Sequence, residues 1–121
     1  MSRSVLVVDD TTFIRKVMRD ILESNGYNVV GEAINGKQAL EMYQQHAPAL
    51  VIMDIAMPEM DGFEAVEQIK KIDNNAKIIM CSVMGYKEAV TRCIEAGASD
   101  YIVKPIKTER VLAAVEKAFS V

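Results

Sequence analysis

The sequence predicts an α/β protein, a doubly wound sheet of five parallel strands in the order 2-1-3-4-5 with helices on both faces. Short β-branched apolar runs alternate with longer amphipathic stretches, and this alternation is typical of βα units. Five such units fill the 121 residues, so we expect one domain, residues 1–121. A (β/α)₈ barrel needs roughly 250 residues, which favours an open, flavodoxin-like sheet.

The predicted strands are short and apolar on both faces, as expected for strands that are covered by helices on each side. Turn residues and amphipathic stretches separate them. No linker, internal repeat or low-complexity segment interrupts the pattern. The predicted strands are residues 4–8, 27–33, 50–53, 77–81 and 101–103.

The first two predicted helices have recognisable ends. Helix one carries apolar residues at positions 14, 17, 18, 21 and 22, and Asn25-Gly26 after them is a favourable C-terminal signal. Helix two covers residues 36–46, with Asn35 as its N-cap and Pro48 just beyond its end.

The other three helices are predicted from apolar spacing. Helix three is expected to bury Val66, Ile69 and Ile72 on its inner face. Helix four carries apolar residues at positions 90, 93 and 94 and ends near Gly97. Helix five carries apolar residues at positions 111, 112, 115 and 119, with Thr108 as its predicted N-cap.

Composition restricts partners and location. A net charge of -3 offers no basic surface to neutralise phosphates, which argues against direct nucleic-acid binding. The apolar runs are too short to span a bilayer, and the N-terminus does not resemble a signal peptide. Cys81 and Cys93 have no CxxC spacing, so we interpret them as buried free thiols in a reducing compartment, with a disulfide as the alternative. We therefore expect a cytoplasmic protein without membrane insertion.

Three carboxylates are expected to meet at one edge of the sheet. In a doubly wound sheet, ligands bind beyond the carboxyl ends of the strands where the winding reverses, here between strands one and three. Asp9, Asp10 and Asp54 directly follow those strands. Clustered carboxylates repel one another unless a cation is present, and an all-oxygen ligand set suits Mg²⁺. A turn with an N-cap is the alternative for Asp9-Asp10 alone.

Two further polar groups follow strands four and five. Ser82 offers a hydroxyl, and Lys104 before Pro105 offers an ammonium group. Each is a common loop residue by itself. Together with a carboxylate nucleophile and a divalent cation, they would surround the oxygens of a transferring phosphoryl group. The reaction this pattern predicts is formation of an aspartyl phosphate.

Two enzyme classes are rivals to this interpretation. A nucleotide-binding oxidoreductase needs glycines after strand one, whereas residues 9–13 supply two negative charges and no glycine. A Mg²⁺-dependent phosphatase with an Asp nucleophile is the more serious rival. Such an enzyme normally has one residue between two aspartates after strand one, whereas Asp9 and Asp10 are adjacent.

Over its whole length the chain resembles the receiver domains of the two-component response-regulator family. The matching features, in order, are Asp9-Asp10, residues 53–58 (MDIAMP), Gly62, Ser82, Tyr101 and Lys104-Pro105. Residues 10–15 and 81–85 are similar to the stand-alone chemotaxis regulators of that family. Ala56 and Ile106 are less typical, the first because it offers no side chain toward the reacting oxygens.

The resemblance implies a role for each site residue. Asp54 is the expected phosphoacceptor. Asp9 and Asp10 are expected to hold Mg²⁺ directly or through water, and the backbone carbonyl of Ala56 is expected to complete the protein ligands. Lys104 is expected to pair with the phosphoryl group.

It also implies a switch and a cis bond. Ser82 is expected to be drawn toward the phosphoryl group, and Tyr101 to follow by rotating inward. The Lys104-Pro105 bond is expected to be cis, which is energetically accessible because residue 105 is proline.

The implied partners are a sensor histidine kinase, which donates the phosphoryl group, and an output protein on the face of helix four, strand five and helix five. For a chemotaxis regulator the output is a flagellar motor switch protein, and a phosphatase is a further candidate. The phosphorelay intermediate and the receiver of a transcription factor remain alternatives. The chain ends at Val121, soon after helix five, which favours a stand-alone protein. We expect a signalling protein that catalyses only its own phosphorylation and dephosphorylation.

Overall fold

The computed structural model describes residues 3–120. Met1, Ser2 and Val121 belong to the predicted domain and lie outside the described residues. The strands are β1 (Ser4–Val8), β2 (Asn28–Ala33), β3 (Leu50–Met53), β4 (Ile78–Ser82) and β5 (Asp100–Val103). The helices are α1 (Thr12–Glu23), α2 (Gly36–His46), α3 (Gly62–Ile72), α4 (Lys87–Ala96) and α5 (Thr108–Phe119).

Within residues 3–120 the strands form one parallel sheet in the order β2-β1-β3-β4-β5, which confirms the predicted topology. Every residue of β1, β3 and β4 is buried, as predicted for strands covered on both faces. The edge strands β2 and β5 are only partly buried because each has a neighbour on one side alone. The winding reverses between β1 and β3.

The sheet separates two hydrophobic cores. On one face α2, α3 and α4 pack through side chains that include Tyr43, Val66 and Cys93. On the other face α1 and α5 pack through side chains that include Leu22 and Val115. The apolar spacing therefore indicated Val66, Cys93, Leu22 and Val115 correctly as core residues, whereas Ile94, predicted from the same spacing in helix four, is 46% exposed. No helix in residues 3–120 is long and apolar enough to cross a membrane.

The predicted strand boundaries differ from the structure by one residue at β2, β4 and β5. Two further predictions were wrong. Thr108 is not the N-cap of α5, because Lys107 holds the extended cap conformation and Thr108 is already the first helical residue. Ile72 is 48% exposed, because it is the last residue of α3 and the buried face of this helix ends at Ile69. The Asn35 N-cap of α2 is confirmed, since its side chain accepts a hydrogen bond from the Gln38 N–H.

Two glycines bring main chain against the segment between β3 and α3. The Gly62 N–H donates to the Ile55 carbonyl at 2.8 Å, and a Cβ atom here would collide with the main-chain oxygen of Asp54. The Gly36 N–H donates to the Met60 carbonyl at 2.9 Å, and a Cβ atom here would lie 2.6 Å from that oxygen. Residues 54–61, which we call the β3–α3 loop, are therefore fixed by backbone contacts at both ends.

Candidate functional site

The three predicted carboxylates meet at the point where the sheet reverses its winding. Val8 pairs with Met53 in the β1–β3 register, and the Asp54 N–H donates to the Val8 carbonyl at 2.9 Å. Asp9, Asp10 and Asp54 each offer an oxygen, and these three oxygens lie within 4.8 Å of one another. Asp9 and Asp54 are buried, whereas Asp10 is exposed. The prediction that these residues face each other is confirmed.

Asp9 is fixed through both of its carboxylate oxygens. Oδ1 accepts a hydrogen bond from the Thr11 N–H at 2.9 Å, and Oδ2 accepts one from Lys104 Nζ at 2.9 Å. The first contact folds the turn that leads from β1 into α1. The second is a charge-assisted bond between the ends of β1 and β5.

Asp54 lies beside Lys104 in a buried position. Its Oδ1 accepts a hydrogen bond from the Ile55 N–H at 2.7 Å, and its Oδ2 lies 3.4 Å from Lys104 Nζ. Burial raises the pKa of the Asp54 carboxyl, and the Asp9 charge raises it further, while the Lys104 charge and hydrogen bonds lower it without cancelling the rise. Asp54 therefore carries its negative charge at a free-energy cost that an added cation would reduce.

Lys104 contacts the carboxylates through its side chain and β4 through its main chain. Its N–H donates to the Ser82 carbonyl at 2.8 Å, and its side chain is only 13% exposed. Burial lowers the pKa of the ammonium group, but the hydrogen bond to Asp9 and the charges of Asp54 and Asp9 outweigh it, so the pKa is raised. Lys104 stays protonated. The Lys104-Pro105 bond is cis, as the resemblance implied.

Ser82 and Tyr101 lie behind the site on β4 and β5. Ser82 is fully buried, and its Oγ accepts a hydrogen bond from the Met84 N–H at 3.2 Å. Tyr101 is 7% exposed, and its hydroxyl donates to the Met84 carbonyl oxygen. Burial is the main cause that raises the pKa of Tyr101. The Tyr101 ring thus already lies inward, in contact with the loop that follows β4.

Ala56 lies in the β3–α3 loop, two residues after Asp54. No residue from 3 to 120 donates a hydrogen bond to its carbonyl oxygen. The residue is exposed and carries only a methyl group. Its carbonyl oxygen is therefore free of hydrogen bonds within the described chain.

Two contacts around the site were not predicted from the sequence. Arg15 donates to the main-chain oxygen of Asp9 at 2.6 Å and pairs with Glu32 of β2 at 3.0 Å. Asn35 Nδ2 donates to Glu59 Oε2 in the β3–α3 loop at 2.9 Å. The available sign for Glu32 was a charged residue inside a strand, where it follows Val29, Val30 and Gly31. Nothing in the local sequence marks the second pair, which joins positions 24 residues apart.

The two cysteines do not take part in this site. Both are free and buried, as predicted. Burial raises the pKa of the Cys81 thiol to about 11, despite the nearby Lys104 charge, and burial raises the pKa of Cys93 to about 11 as well. Both thiols are therefore protonated and unreactive near neutral pH.

Comparison with curated proteins finds relatives that match almost the whole chain. The chain is 52% identical over 120 residues to the chemotaxis protein CheY of Bacillus subtilis, covering 99% of this chain and 100% of that protein. It is 50% identical over 117 residues to CheY of Thermotoga maritima, covering 97% and 98% respectively.

Solved structures show the same fold. The CheX-CheY-BeF3-Mg²⁺ complex from Borrelia burgdorferi contains a chain with a TM-score of 0.95 and 37% identity, covering 98% of this chain and 90% of that one. The response regulator domain of Thermotoga maritima CheB gives a TM-score of 0.93 at 32% identity, covering 100% and 98%. The family model described as the response regulator receiver domain matches residues 5–116. The chain therefore belongs to the response-regulator receiver family.

Proposed function

We propose that this protein is a chemotaxis signalling switch that accepts a phosphoryl group on Asp54 in a Mg²⁺-dependent reaction. The observation that carries the proposal is the position of Asp54, which lies beside the Asp9-Asp10 pair and 3.4 Å from the Lys104 ammonium group. A nucleophilic carboxylate, a cation site and a lysine are thus brought together at one point. Phosphoryl transfer requires mainly such positioning and charge stabilisation.

The donor set fits Mg²⁺. Three carboxylates offer oxygens within 4.8 Å of one another, and the Ala56 carbonyl accepts no hydrogen bond from residues 3–120. Hard oxygen ligands suit Mg²⁺, which keeps several of its waters when only a few protein ligands are available. We assign Asp9, Asp10, Asp54 and the Ala56 carbonyl as ligands, directly or through water. The bound cation would neutralise negative charge on the carboxylates and on the phosphoryl oxygens.

Asp54 would act as the nucleophile toward a phosphohistidine of a sensor kinase. A bond forms between a carboxylate oxygen of Asp54 and phosphorus as the phosphorus–nitrogen bond breaks, and the leaving imidazole takes up a proton. Lys104 would bind an oxygen of the transferred group, and Ser82 would donate its hydroxyl to another. The product is an aspartyl phosphate, which water later hydrolyses. On this proposal the protein turns over no external substrate.

The exposed Ala56 methyl group offers little control over the lifetime of the aspartyl phosphate. It offers no polar group to the water that would attack the phosphoryl group. It also offers no bulk to exclude that water. The lifetime is therefore set by access of water and by a partner phosphatase more than by this side chain.

We place the output on the surface formed by α4, β5 and α5. Four large apolar side chains are exposed on these elements or in the loop before α4: Val83, Tyr86, Ile94 and Val103. Exposed apolar groups clustered near a switch residue are typical of a protein-binding surface. Tyr101 lies inside this surface and is bonded to the loop after β4. We infer a flagellar motor switch protein as the partner, because the full-length relatives are chemotaxis proteins.

The alternatives are a phosphorelay intermediate and a receiver cut from a transcriptional regulator. A two-component response regulator of the LuxR family from Aurantimonas shares the fold, with a TM-score of 0.90 at 30% identity, covering 94% of this chain and 82% of that one. The chemotaxis relatives are more similar and are matched over almost their full length. We also infer a cytoplasmic location, which agrees with two buried free thiols.

The decisive experiment is intact-mass spectrometry after incubation with Mg²⁺ and a small phosphodonor. The unsubstituted protein should gain one phosphoryl group, and chelation of Mg²⁺ should prevent the gain. Asp54→Ala should gain nothing, whereas the control Asp73→Asn, at the C-cap of α3, should behave like the unsubstituted protein. A gain that survives Asp54→Ala would refute the assignment. Release of phosphate over many turnovers would indicate the phosphatase instead.

A further inference from the structure

Arg15, near the start of α1, contacts the main chain of the acidic site and not its carboxylates. Its Nη1 donates to the main-chain oxygen of Asp9 at 2.6 Å, and its Nε donates to Glu32 Oε1 at 3.0 Å. A third, longer contact joins Nη2 to Thr12 Oγ1 at 3.3 Å. The Arg15 side chain is only 13% exposed. The guanidinium group is therefore held between β2 and the turn that carries the acidic pair.

Glu32 is itself held from two sides. Arg19, one turn further along α1, donates from Nε to Glu32 Oε2 at 2.8 Å, while Arg15 binds Oε1. Each oxygen of the Glu32 carboxylate thus has its own guanidinium partner. Because a planar guanidinium has a fixed donor geometry, the Glu32 contact sets the direction in which Arg15 can donate.

The orientation of the Asp9 carbonyl also affects the neighbouring residue, Asp10. The carbonyl lies in the planar peptide unit that also contains the N and Cα atoms of Asp10. Rotation of this peptide would change the direction in which the Asp10 side chain leaves the backbone. Asp10 is exposed, and its carboxylate accepts no hydrogen bond from residues 3–120. Its direction therefore depends on the orientation of the peptide that Arg15 holds.

We propose that Arg15 is a positioning residue for the divalent cation, which acts by fixing the Asp9–Asp10 peptide so that the Asp10 carboxylate points toward Asp54. This inference rests on the proposed Mg²⁺ site. Arg15 touches neither the cation nor the phosphoryl group. Glu32 supports it by orienting the guanidinium and by balancing its positive charge close to the cation.

A positioning role and a plain charge effect predict opposite results. Removing a positive charge near the site should strengthen cation binding if electrostatics alone matter. Removing the bond to the Asp9 carbonyl should weaken cation binding if orientation matters. The sign of the change in affinity for Arg15→Ala therefore distinguishes the two explanations.

The experiment measures the Mg²⁺ dissociation constant of the whole protein by calorimetry, with amide NMR shifts of Asp10 as a second readout. Arg15→Ala should weaken binding about 10-fold, the size typical for residues that orient metal ligands. Arg15→Lys should recover part of the loss, since an ammonium group can still donate to the carbonyl. The matched control is Arg19→Ala, which breaks the other Glu32 contact without touching Asp9, and it should bind nearly as the unsubstituted protein does.

Affinity in Arg15→Ala equal to or tighter than that of the unsubstituted protein would overturn the inference. An equal loss in Arg19→Ala would also overturn it, because packing of α1 on β2 would then be the cause. Circular dichroism shows whether Arg15→Ala folds. If it does not, the proposal requires Arg15→Lys to bind Mg²⁺ more weakly than Arg19→Ala does. Equal affinity of these two variants would contradict the proposal. Failure of the proposed function looks different: the unsubstituted protein itself would then show no saturable Mg²⁺ binding that Asp54→Asn reduces.

Discussion

Lys104 Nζ donates to Asp9 Oδ2 at 2.9 Å, and this bond joins positions 95 residues apart in the sequence. The lysine is therefore a structural tie between β1 and β5 as well as a partner for a phosphoryl group. Lys104→Ala leaves the buried Asp9 carboxylate without its cationic partner, so we expect the free energy of unfolding to fall by about 2 kcal/mol without Mg²⁺.

Mg²⁺ should restore part of this loss, because it supplies positive charge to the same carboxylates. Urea denaturation with and without Mg²⁺ measures both effects. Lys107→Ala, which removes an exposed lysine in the same loop, is the matched control and should change little. Equal stability of the two variants without Mg²⁺ would contradict the structural role of Lys104.

The raised pKa of Asp54 predicts that ionisation of this residue lowers the free energy of unfolding as the pH rises. The ordinary pKa of this carboxyl is 3.8, and burial raises it in the folded protein. A raised pKa contributes stability below pH 3.8 that is lost as the pH rises through the folded value. Asp54→Asn cannot ionise, so without Mg²⁺ the stability of this variant relative to the unsubstituted protein should increase as the pH rises from 3.8 through the folded pKa of Asp54.

The control for this prediction is Asp73→Asn, because the pKa of Asp73 is lowered in the folded protein, whereas that of Asp54 is raised. The hydrogen bond from the Tyr43 hydroxyl is the main cause that lowers the pKa of Asp73. This residue therefore contributes stability that is fully present above pH 3.8 and is lost as the pH falls through the folded pKa. Asp73→Asn should lose relative stability as the pH rises toward 3.8 and show no further trend above it. Urea midpoints at several pH values measure both trends. Parallel pH profiles for Asp54→Asn and the unsubstituted protein would count against a raised pKa at Asp54.

Tyr101→Phe removes the hydroxyl that donates to the Met84 carbonyl. The change leaves a part-buried acceptor without its partner, and we expect a loss of about 1 kcal/mol in the free energy of unfolding. Tyr86→Phe is the matched control, since the Tyr86 hydroxyl donates to the Met84 sulfur at 3.2 Å from an exposed position. Chemical denaturation of the two variants gives the comparison, and an effect of similar size in both would refute the prediction.

The ring resonances of Tyr101 report the switch directly. We expect them to shift when a beryllium fluoride phosphate mimic binds with Mg²⁺. The loop residues Val83, Met84 and Gly85 should shift with them, because Met84 is bonded to both Ser82 and Tyr101. Shifts confined to α2 or α3 would mean that the output surface is wrongly assigned.

The hydrogen bond from Asn35 to Glu59 predicts that stability depends on the charges of these two side chains. Asn35→Ala removes both the N-cap bond to Gln38 and the bond to Glu59, and should cost about 1–2 kcal/mol. Asn35→Asp keeps the cap but sets two carboxylates against each other, so it should also destabilise the protein. Adding Glu59→Gln to Asn35→Asp should restore stability, and thermal unfolding of the four proteins forms the cycle that tests it. Additive effects of the two substitutions would show that the side chains do not interact.

Much of the fold follows from local patterns. The alternation of apolar runs and amphipathic stretches correctly predicted five βα units, and the winding rule placed Asp9, Asp10 and Asp54 together. Receiver domains are themselves standard examples of the 2-1-3-4-5 order, so this agreement does not test the topology rule independently. Thr108 was assigned wrongly because cap preference depends on side-chain chemistry, whereas the actual boundary is set by the backbone path.

The long-range polar contacts could not be predicted from sequence spacing. Arg15 and Glu32 come from a helix and from the strand beyond it, and only the packing of α1 on β2 brings them together. Asn35 and Glu59 belong to loops that meet because α2 and α3 are neighbours. Periodicity describes which face of an element is buried, but it does not say which polar side chains meet at the ends of separate elements.

The contact of Gly62 with the main chain of Asp54 and Ile55 has a consequence for how such a protein can diverge. Gly62 lies against main-chain atoms of Asp54 and Ile55, whereas the side chains of Ala56 and Pro58 in the same loop are exposed. Side chains at these two exposed positions can therefore vary with little strain on the fold, whereas any side chain at position 62 would displace the backbone that carries Asp54. Across a lineage of such regulators, a single glycine can thus preserve the position of the acceptor while the exposed part of the loop diverges.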